Sequence, residues 1–74
     1  MNTTVTYKDG VFSVYKDGKE TYTRSGLAAH MQEVALPISV ALTLLLMVEA
    51  EVKSEDVKAA IESLLETGTY SFNR

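Results

Sequence analysis

The sequence contains no cysteine, no tryptophan, one proline and one histidine in 74 residues. Without cysteine there is no disulfide and no thiolate metal site, and a lone histidine supplies too few ligands for an imidazole centre. These absences matter because a chain this short buries only about 60% of its unfolded surface and is marginal on its own. Small folds are commonly stapled by disulfides, by a metal or by oligomerisation, and only the last remains open. No cofactor is expected. A Gly-rich phosphate loop and a nucleophile elbow are missing as well, so the chain is not expected to be an enzyme.

An excess of basic charge is also lacking. The formal net charge is −3, and residues 1–24 are nearly balanced at +1 while residues 25–74 carry −4. Duplex nucleic acid is normally met by a concentrated basic face, so a nucleic-acid-binding regulator is only an alternative reading. The opening MNTTVTYKDG has neither a basic n-region nor an apolar h-region and does not read as a signal peptide, which points to the cytoplasm.

What is present begins with a repeat, Tyr7-Lys8-Asp9-Gly10 and Tyr15-Lys16-Asp17-Gly18. Each Asp-Gly pair is a hairpin signal, because Gly takes positive φ without a Cβ clash and Asp tolerates it. Two such turns predict strands over Thr3–Tyr7, Val11–Tyr15 and Lys19–Thr23, all rich in Thr, Val, Tyr and Phe. Alternation puts Val5 with Tyr7, and Phe12 with Val14, on the inner face. The third strand has only Tyr22 as a large apolar group and suits an exposed edge guarded by Lys19 and Glu20. Such a meander needs a helical layer to stand.

Helical signals follow. Ser25 is the expected cap of a helix from Leu27 to about Ala35. Pro37, which lacks an N–H and disfavours helical angles at Leu36, either opens a new helix or kinks a continuous one; the break is the preferred reading. The next helix is expected to reach about Val52. Ser54 is the expected cap of a third helix, with Glu55 and Asp56 in its first turn and an apolar stripe of Val57, Ala60, Ile61, Leu64 and Leu65. Gly68 stops it, and residues 69–74 form either a short strand or a tail. The expected fold is a single α+β domain over residues 1–74. It has an antiparallel β-meander of two or three strands (1–24) packed on two or three α-helices (25–68), the central one strongly apolar.

That central run, Val34 to Val48, is VALPISVALTLLLMV, with no charge at all. A helix apolar on nearly every side must be buried on every side or lie in lipid. Three stripes run along it: Ile38, Leu42, Leu45 and Val48; then Val40, Leu44 and Met47; then Ala35, Ser39 and Thr43, followed by Leu46 and Ala50. Small residues at spacing four let two helix backbones approach, although Ser and Thr can instead bond back to carbonyls one turn earlier. One amphipathic helix and a few strand residues are a thin supply of cover for all three. Self-association through Ala35, Ser39, Val40, Thr43, Leu44, Leu46 and Met47 is therefore expected, giving a homodimer. A membrane-associated protein is a further alternative, but fifteen helical residues span about 22 Å against a hydrocarbon core of about 30 Å.

Candidate contact residues for an unidentified protein partner lie elsewhere. Glu49, Glu51, Glu55 and Asp56 surround the turn between the last two helices; a solvated acidic turn does no acid–base chemistry but attracts a basic partner surface. Tyr15 and Tyr22 sit on strands among lysines, a mixture that single-stranded nucleic acid also uses for stacking. His30 and Glu33 could share a helix face, yet two ligands do not make a metal site. The order of strand, turn, charged strand and helix in SVYKDGKETYTRSGL resembles hairpins of small phage structural and accessory proteins. The analogy implies a stoichiometric inhibitor or adaptor of a larger protein.

Overall fold

Both Asp-Gly pairs turn the chain where the sequence predicts. Asp9 and Gly10 have φ of 52° and 75°, and Asp17 and Gly18 have 52° and 81°. Two successive positive φ values make a type I′ turn, whose twist matches that of the strands it joins. In the computed structural model, which describes residues 1–73, these turns connect β1 (Asn2–Lys8), β2 (Val11–Lys16) and β3 (Lys19–Arg24). A fourth strand, β4 (Thr69–Asn73), pairs antiparallel with β1, so the sheet order is β3-β2-β1-β4. The meander has its expected three strands, and the sheet one more, because the segment after Gly68 becomes a strand rather than a tail.

Register sorts the side chains by face. Val5 opposes Val14 on one side and Tyr70 on the other, and Val14 opposes Tyr22. On that inner face Val5, Phe12 and Val14 are fully buried, with Tyr7, Tyr22, Tyr70 and Phe72 packed half-buried around them. The other face is hydroxylic. Thr69, Thr6, Ser13 and Thr23 lie in one row across all four strands, and Ser13 Oγ and Thr23 Oγ1 are 3.0 Å apart. β1, β2 and β4 keep the two-residue period of a strand, whereas the register of β3 against β2 shifts between Val14 and Tyr15, so that Tyr22 and Glu20 fall on opposite faces.

Three helices cover the inner face: α1 (Leu27–Glu33), α2 (Ile38–Val48) and α3 (Val57–Thr67), the last entered through a 3-10 turn at Ser54–Asp56. Pro37 breaks the chain between α1 and α2, with φ −62° and ψ 143°, just outside the first helical residue. α1 ends before the expected Ala35. Its close is a Schellman motif, in which Ala35 takes the left-handed position at φ 56°, Ala35 N–H donates to Gln32 O and Leu36 N–H donates to Met31 O. α2 stops at Val48, short of the expected Val52, because Glu51 turns left-handed at φ 58° and the Val52 N–H returns to Leu46 O.

Two expected caps are absent. Gly26, not Ser25, precedes α1, and neither α1 nor the Ser54 turn has a side-chain cap bond. Ser54 instead enters the 3-10 turn as its first residue, and the sequence signal misplaces both caps by a residue or more. Gly68 does close α3, at φ 83°, with its N–H on Leu64 O. The core collects Val5, Phe12 and Val14 from the sheet, Leu27 and Met31 from α1, Leu42, Leu45 and Leu46 from α2, and Val57, Ala60 and Leu64 from α3.

Candidate interaction surface

α2 settles its three apolar stripes differently from a simple wheel. Ala41, Leu42, Leu45 and Leu46 are buried in the core shared with the sheet, α1 and α3, Ala41 and Leu45 on the side toward α1, with Ile38 half-buried beside them. Leu46, expected at a contact with a second chain, is 0% exposed and belongs to this chain's own core. Ala35 also leaves the expected stripe, since it occupies the left-handed turn after α1 rather than a helical position. Ser39 and Thr43 stay on α2, half-buried, and Thr43 Oγ1 donates to Ser39 O at 2.7 Å. The hydroxyl thus bonds back one turn, the second of the two roles available to it.

The middle stripe is the one left uncovered. Val40, Leu44 and Met47 face away from the sheet together with Val48, and Leu44 and Val48 are 61% and 68% exposed. Val34 and Leu36, from the Schellman turn, extend the same patch. Six large apolar side chains about half exposed leave on the order of 500 Å² of apolar surface, the size of the largest patch on a typical monomer. Two grooves flank this ridge. One, of about 310 Å³, lies between α1 and α2 and is lined by Leu27, Met31, Val34, Leu36 and Leu44 among others. The other, of about 540 Å³, runs between α2 and α3 past Ser39, Thr43, Met47, Val57 and Ile61.

The acidic residues divide into separate settings. Glu49 caps the C-terminus of α2 and is half-buried. Glu51 holds Lys16 of β2 at 2.9 Å. Glu55 and Asp56 are exposed in the 3-10 turn and help line a cleft of about 540 Å³ beside the end of β4. Val52, Tyr70 and Phe72 supply the apolar part of that cleft. Sequence reasoning did not single out Tyr70 and Phe72 as contact residues; their alternation in TYSFN was the available signal, but the cleft exists only once β4 pairs with β1.

Tyr15 and Tyr22 are not on one surface. Tyr15 stands on the hydroxylic face, whereas Tyr22 packs edge-on against Phe12 on the inner face, with ring centroids 6.2 Å apart. Tyr7 is also on the inner face. A stacking platform needs its aromatic rings on one open surface, and the strand alternation separates them. Among the described residues, no three His, Asp or Glu side chains come together as a metal-binding group, and no helix is long and apolar enough to cross a membrane. No family model matches the chain, and no similar curated protein or solved structure is found.

Proposed function

We propose that the chain is a small non-enzymatic protein-binding module of the cytoplasm that works as a homodimer, acting as a stoichiometric inhibitor or adaptor of a larger protein. The observation that supports this is the uncovered ridge of Val40, Leu44, Met47 and Val48 on a helix whose opposite side already completes the core. An exposed patch of about 500 Å² is more than half of the roughly 800 Å² that one partner contributes to a standard interface. Burying the exposed half of six Leu-sized side chains in each copy yields roughly 10 to 15 kcal/mol for the pair, enough to offset much of an association cost of about 4 to 15 kcal/mol.

A second copy fits this patch by symmetry. Two α2 ridges related by a two-fold axis meet near Leu44, and each ridge settles into a groove flanking the other, as ridges-into-grooves packing requires. The four-layer sandwich so formed keeps both hydroxylic sheet faces, and both β4 clefts, on the outside. Light scattering on the detergent-free protein at about 100 μM tests the reading, with a dimeric mass expected for a micromolar dissociation constant. A monomeric mass at that concentration overturns it. A pull-down from the native host then asks whether the dimer carries a partner in fixed stoichiometry.

A further inference from the structure

The two edges of the sheet are defended unequally. β3 carries Lys19, Glu20 and Arg24, charges of the kind that discourage another strand from pairing. β4, TYSFN, has neither a charge nor a proline. The Tyr7 N–H donates to Gly68 O at 2.9 Å, so strand alternation directs the backbone of Tyr70 and Phe72 toward β1 and that of Thr69, Ser71 and Asn73 outward. Thr69 is already engaged, because its carbonyl accepts from Ser63 Oγ at 2.6 Å and Thr67 Oγ1 at 3.2 Å. The open part of the edge therefore lies at Ser71 and Asn73, beside the cleft that Val52, Tyr70 and Phe72 line.

We propose that this edge captures an extended segment of a partner protein by antiparallel strand addition. One large apolar side chain of the segment enters the cleft against Tyr70 and Phe72, and a Lys or Arg two residues away meets Glu55 and Asp56. The two-residue period of a strand puts those partner side chains on one face, and the ladder supplies affinity while the cleft supplies selectivity. Charge favours this occupant, since among the described residues two exposed carboxylates and one ammonium, that of Lys53, line the cleft, and the net charge of the chain is −3. The proposal rests on the reading of the chain as a protein-binding module, and adds the chemistry of the segment it takes. It does not depend on the dimer.

The probe is a fluorescently labelled peptide, Thr-Lys-Thr-Phe-Thr-Lys-Thr, followed by anisotropy against the full chain. In antiparallel pairing the two Thr flanking Phe point their N–H groups at Ser71 and Asn73. Methylating those two nitrogens is expected to weaken binding about tenfold or more, whereas methylating the Phe nitrogen, which points away, costs less than about threefold. Replacing both Lys by Glu is expected to abolish binding, and the double variant Glu55→Lys/Asp56→Lys to weaken the basic peptide about fivefold or more. Ser71→Pro is expected to block the edge while the sheet persists, since proline is tolerated on an edge strand; circular dichroism checks that it does. Leu44→Glu leaves peptide binding unchanged, so failure of the dimer and failure of the edge are read separately. No binding to the wild-type chain at about 1 mM peptide overturns the proposal. So does equal sensitivity to all three methyl positions, or a dimer lost in Ser71→Pro, which would assign the β4 edge to a second copy.

Discussion

α2 and α3 are the same length, 11 residues each, and both lay one side on the sheet, yet their outward sides have opposite chemistry. α3 buries Val57, Ala60 and Leu64 and turns Lys58, Glu62 and Glu66 to water, with Leu65, expected in its apolar stripe, the one large apolar side chain of this helix left exposed. α2 buries Ala41, Leu42, Leu45 and Leu46 and turns out Val40, Leu44, Met47 and Val48. Folding uses the inward half of each helix in the same way. The difference therefore resides in the half of α2 that the monomer does not use, and an exposed apolar patch of that size normally marks a contact.

The largest expected effect sits on the inward half. Leu46→Ala removes a fully buried side chain and is expected to cost about 2 to 5 kcal/mol, a large share of the roughly 5 to 15 kcal/mol that holds a small domain together. Urea denaturation in a monomeric background measures it; a cost below about 1 kcal/mol would mean that α2 does not pack as described. On the outward half, Leu44→Glu is expected to change monomer stability by less than about 0.5 kcal/mol while placing a charge in the proposed dimer contact, weakening association by about 2 kcal/mol or more. Light scattering across a dilution series reads this. The matching change on α3, Glu66→Lys, at an exposed position outside both grooves, is expected to leave the mass unaltered, and loss of the dimer there would erase the contrast between the two helices.

A smaller effect tests why the stripe of small residues on α2 is shorter than the sequence suggests. Ala35 is strained in the left-handed region, where a Cβ costs roughly 1 to 2 kcal/mol and glycine does not pay it, though glycine loses about 0.5 to 1 kcal/mol of chain entropy. Ala35→Gly is thus expected to raise stability by about 0.5 to 1 kcal/mol with the dimer intact. Destabilisation would instead indicate that the Ala35 methyl is packed in a contact.

The sequence was most legible where the cause of structure is local. Asp9-Gly10 and Asp17-Gly18 carry their turn type in their own backbone preferences, and Val5, Phe12 and Val14 alternate as a half-buried sheet requires. Gly68 ends α3 for the same reason of backbone freedom. Less was legible where cause is distant or where one residue type allows several outcomes. In α2 every stripe is apolar, so the wheel could not tell that Leu46 turns in and Leu44 turns out; the position of the sheet decides it. Ala35 and Glu51 occupy left-handed positions usually marked by glycine, and so α1 and α2 both end earlier than the pattern predicts. The cleft at Tyr70 and Phe72 depends on the pairing of β4 with β1, a contact between opposite ends of the sequence.

Glu51 allows the finest test of that contrast between the helix ends, because two opposing effects meet in one residue. Its left-handed backbone favours glycine by about 0.5 to 1 kcal/mol, on the same grounds as Ala35. Its carboxylate holds Lys16 at 2.9 Å, but with the Glu51 side chain 58% exposed such a pair is worth no more than about 0.5 kcal/mol. Glu51→Gly is therefore expected to stabilise by only a few tenths of a kcal/mol at low ionic strength, where the lost ion pair offsets part of the relieved strain. At about 1 M salt, where screening acts within about 3 Å, the wild type loses the ion pair too and the advantage of glycine grows toward about 1 kcal/mol. Paired urea titrations at low and high salt measure the change, and a variant less stable than the wild type at low salt would show that the ion pair, rather than the backbone, governs how α2 ends.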